Sequence, residues 1–76
     1  MNVEYGRIVL DGKRCGYCTY LNEETGKKEE LICPPYEGLT LLVDGKKVQP
    51  SYAHVMLWTR VAGWLGANDL LRRMQG

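Results

Sequence analysis

Three cysteines and a single histidine are the residues of this 76-residue chain best suited to metal or redox chemistry. Cys15-Gly16-Tyr17-Cys18 is a C-x-x-C pair, Cys33 follows it, and His54 is the only imidazole. A tetrahedral zinc site takes four thiolate or imidazole donors, and Cys15, Cys18, Cys33 and His54 meet that count with none to spare. Their spacing argues against it. A zinc ribbon repeats C-x-x-C, whereas Cys33 here precedes Pro34-Pro35-Tyr36. If residues 13–21 form one continuous strand, Cys15 and Cys18 point to opposite faces, and only a knuckle at Gly16 lets both reach one ion. The favoured expectation is three thiols acting as small apolar side chains with no resident cofactor; zinc is the weaker alternative.

Other chemistry fares worse. Thioredoxin-like exchange places its attacking cysteine at a helix N-terminus, but this C-x-x-C lies in a strand-like segment. Cys–His nucleophilic catalysis needs an orienting carboxylate, and no spacing in the chain supplies one for His54. A chain this short has few residues left for an enclosed cleft once its core is built, so the expectation is no enzyme.

Basic residues come in pairs. Lys13-Arg14, Lys27-Lys28 and Lys46-Lys47 each follow a turn glycine, and Arg72-Arg73 stand near the C-terminus. In an up-and-down meander the turns near residues 24 and 44 share one end of the sheet, so Lys27, Lys28, Lys46 and Lys47 would gather there and offer phosphate a docking point. Glu23, Glu24, Glu29 and Glu30 flank them, which is the ordinary composition of a solvated turn. Ten Lys plus Arg against nine Asp plus Glu give a net charge of +1, too little to drive non-specific nucleic-acid binding. Nucleic-acid binding through these lysines or through Arg72 and Arg73 is the second functional reading.

The elements that must position these groups divide at Gln49-Pro50-Ser51. Before that point the pattern is strand-like. Asp11-Gly12 and Asp44-Gly45 are dipeptides that accept the positive φ values of two-residue hairpins, and Gly26 suits a left-handed turn position. Pro34-Pro35-Tyr36-Glu37-Gly38 cannot continue a central strand, because neither proline donates to the ladder. Beyond Pro50 the spacing is helical, with Ser51 as N-cap. Leu57, Val61, Trp64 and Leu71, joined by Ala53, make one apolar stripe at 100° per residue. Asn68 would interrupt that stripe, which with Gly63 and Gly66 upstream predicts a bend near Gly66 or a second short helix capped by Asn68.

The fold expected is therefore α+β: an antiparallel meander of four to five strands over residues 1–49 and an amphipathic helical part over residues 50–76, together one domain. No N-terminal basic-then-apolar leader is visible and no stretch reaches about 18 apolar residues, so a cytoplasmic chain without membrane contact is expected. Both tryptophans and two of three methionines fall in the helical part. Tyr52, Met56 and Met74 lie off the main stripe, and Trp58 and Trp64 diverge by about 120° on a continuous helix. That surplus of apolar surface points to a partner. The leading functional reading is a non-enzymatic interaction module, such as an inhibitor, adaptor or accessory subunit. It would bind a larger protein or a second copy through Tyr52, Met56, Trp58, Arg60 and Trp64.

Overall fold

The computed structural model describes residues 2–75. Five strands, β1 (Glu4–Leu10), β2 (Lys13–Asn22), β3 (Lys27–Cys33), β4 (Thr40–Val43) and β5 (Lys46–Val48), precede one helix, α1 (Tyr52–Gln75). The strands pair antiparallel in chain order, so the sheet is a simple meander. Its two tight hairpins follow from Asp-Gly: Asp11 and Gly12 have φ of 51° and 74°, and Asp44 and Gly45 have 50° and 82°. These angles belong to the turn whose twist matches that of the flanking strands.

Register decides what faces the helix. Tyr5 pairs with Cys18, Cys18 with Leu31 and Leu31 with Leu41, which puts one residue of each strand in a row. The neighbouring row sets Tyr20 opposite Glu29 and Glu29 opposite Val43. Helix α1 lies across this face and seals it with Val61 and Leu65, with Leu57 and Trp58 packed at the margin. Leu31, Leu41 and Val61 are fully buried. Each such side chain contributes about 2 kcal/mol of apolar burial. Among the described residues no helix or strand covers the opposite sheet face, where Cys15 is buried and Ile8, Tyr17, Ile32 and Leu42 stay half-buried.

The helix differs from expectation in two ways. It runs unbroken through Gly63, Gly66 and Asn68 to Gln75, and the second short helix does not form. Asn68 needs no cap because it lies at the margin of the packed face, exposed, with its amide donating to the Tyr5 hydroxyl at 3.5 Å. The apolar stripe is also rotated. Leu57, Trp58, Val61 and Leu65 face the sheet, while Ala53, Trp64 and Leu71 are exposed. Trp58 takes the inward place because Gly16 leaves room for it: a Cβ on Gly16 would lie 2.9 Å from the indole.

Candidate functional site

The buried carboxylate of Glu29 is the centre of the largest polar constellation. Alternation along β3 turns Glu29 to the helix side with Leu31, where it is 6% exposed. A charge there is tolerated only if its lone pairs are filled. Three donors fill them. The Tyr20 hydroxyl donates to Oε1 at 2.6 Å, the Asn22 amide donates to Oε2 at 3.0 Å, and His54 Nε2 lies 3.0 Å from Oε1. Burial by itself would raise the pKa of Glu29, but the hydrogen bonds from Tyr20, Asn22 and His54 outweigh it and hold the carboxyl below the usual glutamate range. Tyr20 moves the other way: burial and the Glu29 carboxylate both disfavour its phenolate.

His54 is fixed from its other nitrogen. The backbone N–H of Ser51 donates to Nδ1 at 3.0 Å and the Ser51 hydroxyl lies 2.8 Å from the same atom. An N–H can only donate, so Nδ1 is the acceptor and Nε2 carries the hydrogen toward Glu29. The cap at Ser51 is thus reciprocal in a different sense from that expected. The third helical residue reaches back to the cap's own N–H, as glutamate does in a capping box, and the hydroxyl turns to the ring. Ser51, His54 and Glu29 consequently stand in the order hydroxyl, imidazole, carboxylate, yet the imidazole lone pair already serves the helix end. The carboxylate that sequence spacing failed to supply for His54 comes from β3, 25 residues earlier. A groove of about 590 Å³ opens beside it, lined by Tyr20, Glu23, Glu29, His54, Met56 and Arg60.

The four zinc candidates do not assemble. Strand β2 is continuous through Gly16, so Cys15 and Cys18 face opposite sides of the sheet, and Cys33 shares the side of Cys18 through its pairing with Gly16. His54 is held at Glu29. Among the described residues no three of His, Cys, Asp or Glu are grouped to hold a metal ion. Burial pushes the Cys18 thiol up to about 11, against a smaller opposing effect of a hydrogen bond with the Leu31 backbone, so it stays a thiol.

The basic residues gather in two places. Lys27, Lys28, Lys46 and Lys47 do share one end of the sheet, tied by paired hydrogen bonds between Lys28 and Asp44 of 2.9 and 3.2 Å, but register divides them between its two faces. Arg72 and Arg73 come to the opposite end. There Arg14, noted in the sequence only as part of the Lys13-Arg14 pair, and Arg7, which sequence reasoning passed over, join them around Asp69. Arg7 forms an ion pair with Asp69 that ties β1 to the helix. That hydrogen bond, with weaker attraction to Arg72 and Arg14, holds Asp69 below the usual aspartate range.

Of the partner-binding candidates, Tyr52, Met56 and Arg60 are exposed. Trp64 is 43% exposed, its ring tilted against Tyr5 with centroids 5.4 Å apart. Trp58 is packed over Gly16. The helix surface turned away from the sheet carries Tyr52, Met56, Thr59, Gly63, Leu70 and Met74 as an exposed uncharged strip, with exposed Arg60 and Arg73 along its two edges. Leu70, which sequence reasoning placed in no candidate surface, is exposed there beside Met74. No helix among the described residues is long and apolar enough to cross a membrane. Comparison with known protein families, characterised proteins and solved structures found no match for this chain.

Proposed function

We propose that this protein is a non-enzymatic interaction module that works through the outward face of α1, with a second copy of the chain as the partner that face fits best. The supporting observation is the distribution of side-chain size along a strip of the outward face that is uncharged between Arg60 and Arg73. A solvated helix normally carries charge on its outer side. Here large apolar groups stand at both ends, Tyr52 and Met56 at one and Leu70 and Met74 at the other, with small residues between them. Two antiparallel copies crossing at Gly63 bring Tyr52 opposite Met74, Met56 opposite Leu70 and Thr59 opposite Ala67. Such a pairing is isologous and sets the helix dipoles in the favourable sense.

Glycine supports the same reading. A Cβ at Gly63 or Gly66 would meet nothing within 4 Å, so packing inside the chain does not require either residue. Each nonetheless costs the helix about 1 kcal/mol relative to alanine. Close approach of a second backbone gives them a use. The seam is about 36 Å long and one helix wide, which suits association in the micromolar range. Sedimentation equilibrium of the full chain, with Met56→Lys and Leu70→Lys variants, tests the proposal. Concentration-dependent dimerisation abolished by either substitution is expected. A monomer at several hundred micromolar, or a dimer indifferent to both changes, removes it.

A further inference from the structure

The end of the molecule away from Glu29 carries a second site, unrelated to the outward helix face. Arg7, Arg14, Arg72 and Arg73 surround an open cavity of about 390 Å³ with Asp69 the only acid in its lining. Arg7 is taken by Asp69; among the described residues no carboxylate forms an ion pair with Arg14, Arg72 or Arg73. Four guanidinium groups thus share the single carboxylate of Asp69, and an incoming phosphate relieves their remaining repulsion while accepting their forked hydrogen bonds.

Arg7 and Arg14 also line a second hollow of about 440 Å³, so the two adjoin across these side chains. Pro34, Pro35, Tyr36 and Trp58 form its aromatic and ring-bearing wall, and its one acid, Glu37, is engaged by Lys13 at 3.3 Å. Tyr36 is the unusual member. It sits at φ 62° in a turn closed by the Glu37 N–H and the Pro34 carbonyl, the position where such turns normally require glycine. Its ring is fully exposed. A strained backbone that displays a bare aromatic ring beside an arginine cluster gains nothing for the core, and strain of this kind collects at binding sites.

We propose that this pair of hollows binds a nucleotide unit, with its phosphate on Arg14, Arg72 and Arg73 and its base against Tyr36 and the adjoining Pro35 and Trp58 surface. Single-stranded nucleic acid and free nucleotides share that chemistry, in which a cationic track combines with a stacking platform. Isothermal titration of the full chain with an eight-residue oligothymidylate, with AMP and with inorganic phosphate, at 50 and 200 mM salt, distinguishes the sources. Oligonucleotide binding that exceeds AMP binding and weakens with salt identifies a nucleic-acid strand; saturable AMP binding that the oligonucleotide does not exceed identifies a free nucleotide. Either supports the site. The double variant Arg72→Gln, Arg73→Gln should weaken binding at least about tenfold, and for the oligonucleotide reduce the salt slope by about 1.4. Tyr36→Gly should weaken it roughly tenfold while leaving the melting temperature unchanged or raised, because the turn strain is relieved. Arg7 is left intact in these variants because its ion pair joins β1 to the helix, and circular dichroism checks that each variant folds. No heat of binding with the oligonucleotide or AMP at 50 mM salt overturns the proposal. So does an affinity unmoved by either variant, or phosphate binding as tightly as AMP.

Discussion

His54 Nε2 and Glu29 Oε1, 3.0 Å apart, join the first turn of the helix to the middle of the sheet. The contact is polar in a place where neighbouring contacts are apolar, and it works because Tyr20 and Asn22 complete the set of donors to Glu29. Glu29→Ala leaves three donors facing a carboxylate that is gone. The expected cost is about 3 kcal/mol, measured as a shift in urea midpoint with unchanged slope. Glu29→Gln keeps an acceptor for Tyr20 or His54 and should cost less. A loss below about 1 kcal/mol for the alanine variant would mean that water from the adjoining groove replaces the carboxylate.

The same network gives stability an acid limb of defined sign. Burial opposes ionisation of Glu29, but the donated hydrogen bonds from Tyr20, Asn22 and His54 prevail, so its folded value lies below its unfolded one. Folding therefore favours the carboxylate. The contribution is complete above the ordinary glutamate value of about 4.3 and is lost as pH falls from there through the lower folded value. Asp69 acts in the same direction through Arg7, at an exposed site. Unfolding free energy measured from pH 7 down to pH 2 should fall below about pH 4.5, and in Glu29→Gln the fall should be visibly shallower.

Ser51, His54 and Glu29 in hydrogen-bonded order invite a test of the non-enzymatic reading. The Ser51 N–H occupies the same imidazole nitrogen that the hydroxyl reaches, so the residues are engaged as a helix cap. Ser51→Ala removes the hydroxyl contact with the ring while keeping the backbone N–H, and should cost about 1 kcal/mol. It should leave hydrolysis of a nitrophenyl ester at the wild-type rate, with no burst in either protein. A Ser51-dependent burst of nitrophenol would reverse the assignment and make the trio a nucleophile, a base and its orienting acid.

The sheet was legible because its signals are local. Asp11-Gly12 and Asp44-Gly45 state their own backbone angles, and Pro34-Pro35 excludes a strand without reference to anything distant. The helix phase was less legible. Trp58 and Leu65 point inward, in place of Trp64 and Leu71, because Gly16 on β2 clears a space for an indole, a fact held 42 residues away from the residue it orients. Asn68 predicted a break for the same reason: its polarity is costly only on a buried stripe, and the true stripe passes beside it. The cysteine geometry did follow from alternation alone. The Glu29 network and the arginine cluster did not, since Glu29 looked like one acid in a solvated turn, and Arg7 and Arg14 meet Arg72 and Arg73 only after the helix has crossed the sheet.

Glycine substitutions separate internal packing from association. At Gly16 an added methyl collides with Trp58 ring atoms at 2.9 and 3.0 Å, and an indole packed against the core cannot swing aside as a flexible chain end would. Gly16→Ala should destabilise by about 2 kcal/mol and redshift the tryptophan emission as Trp58 is displaced. Gly63→Ala and Gly66→Ala enter open space on a helix. Each should therefore stabilise the monomer by about 0.5–1 kcal/mol, measured at protein concentrations low enough to suppress self-association. If two helices cross at Gly63, the same methyl groups hold the backbones apart, and the dimer dissociation constant should rise as the monomer becomes more stable. Opposite signs in the two measurements are the mark of a glycine kept for a partner. Stabilisation with unchanged association would leave Gly63 and Gly66 without a role in docking and place the crossing point elsewhere on the helix.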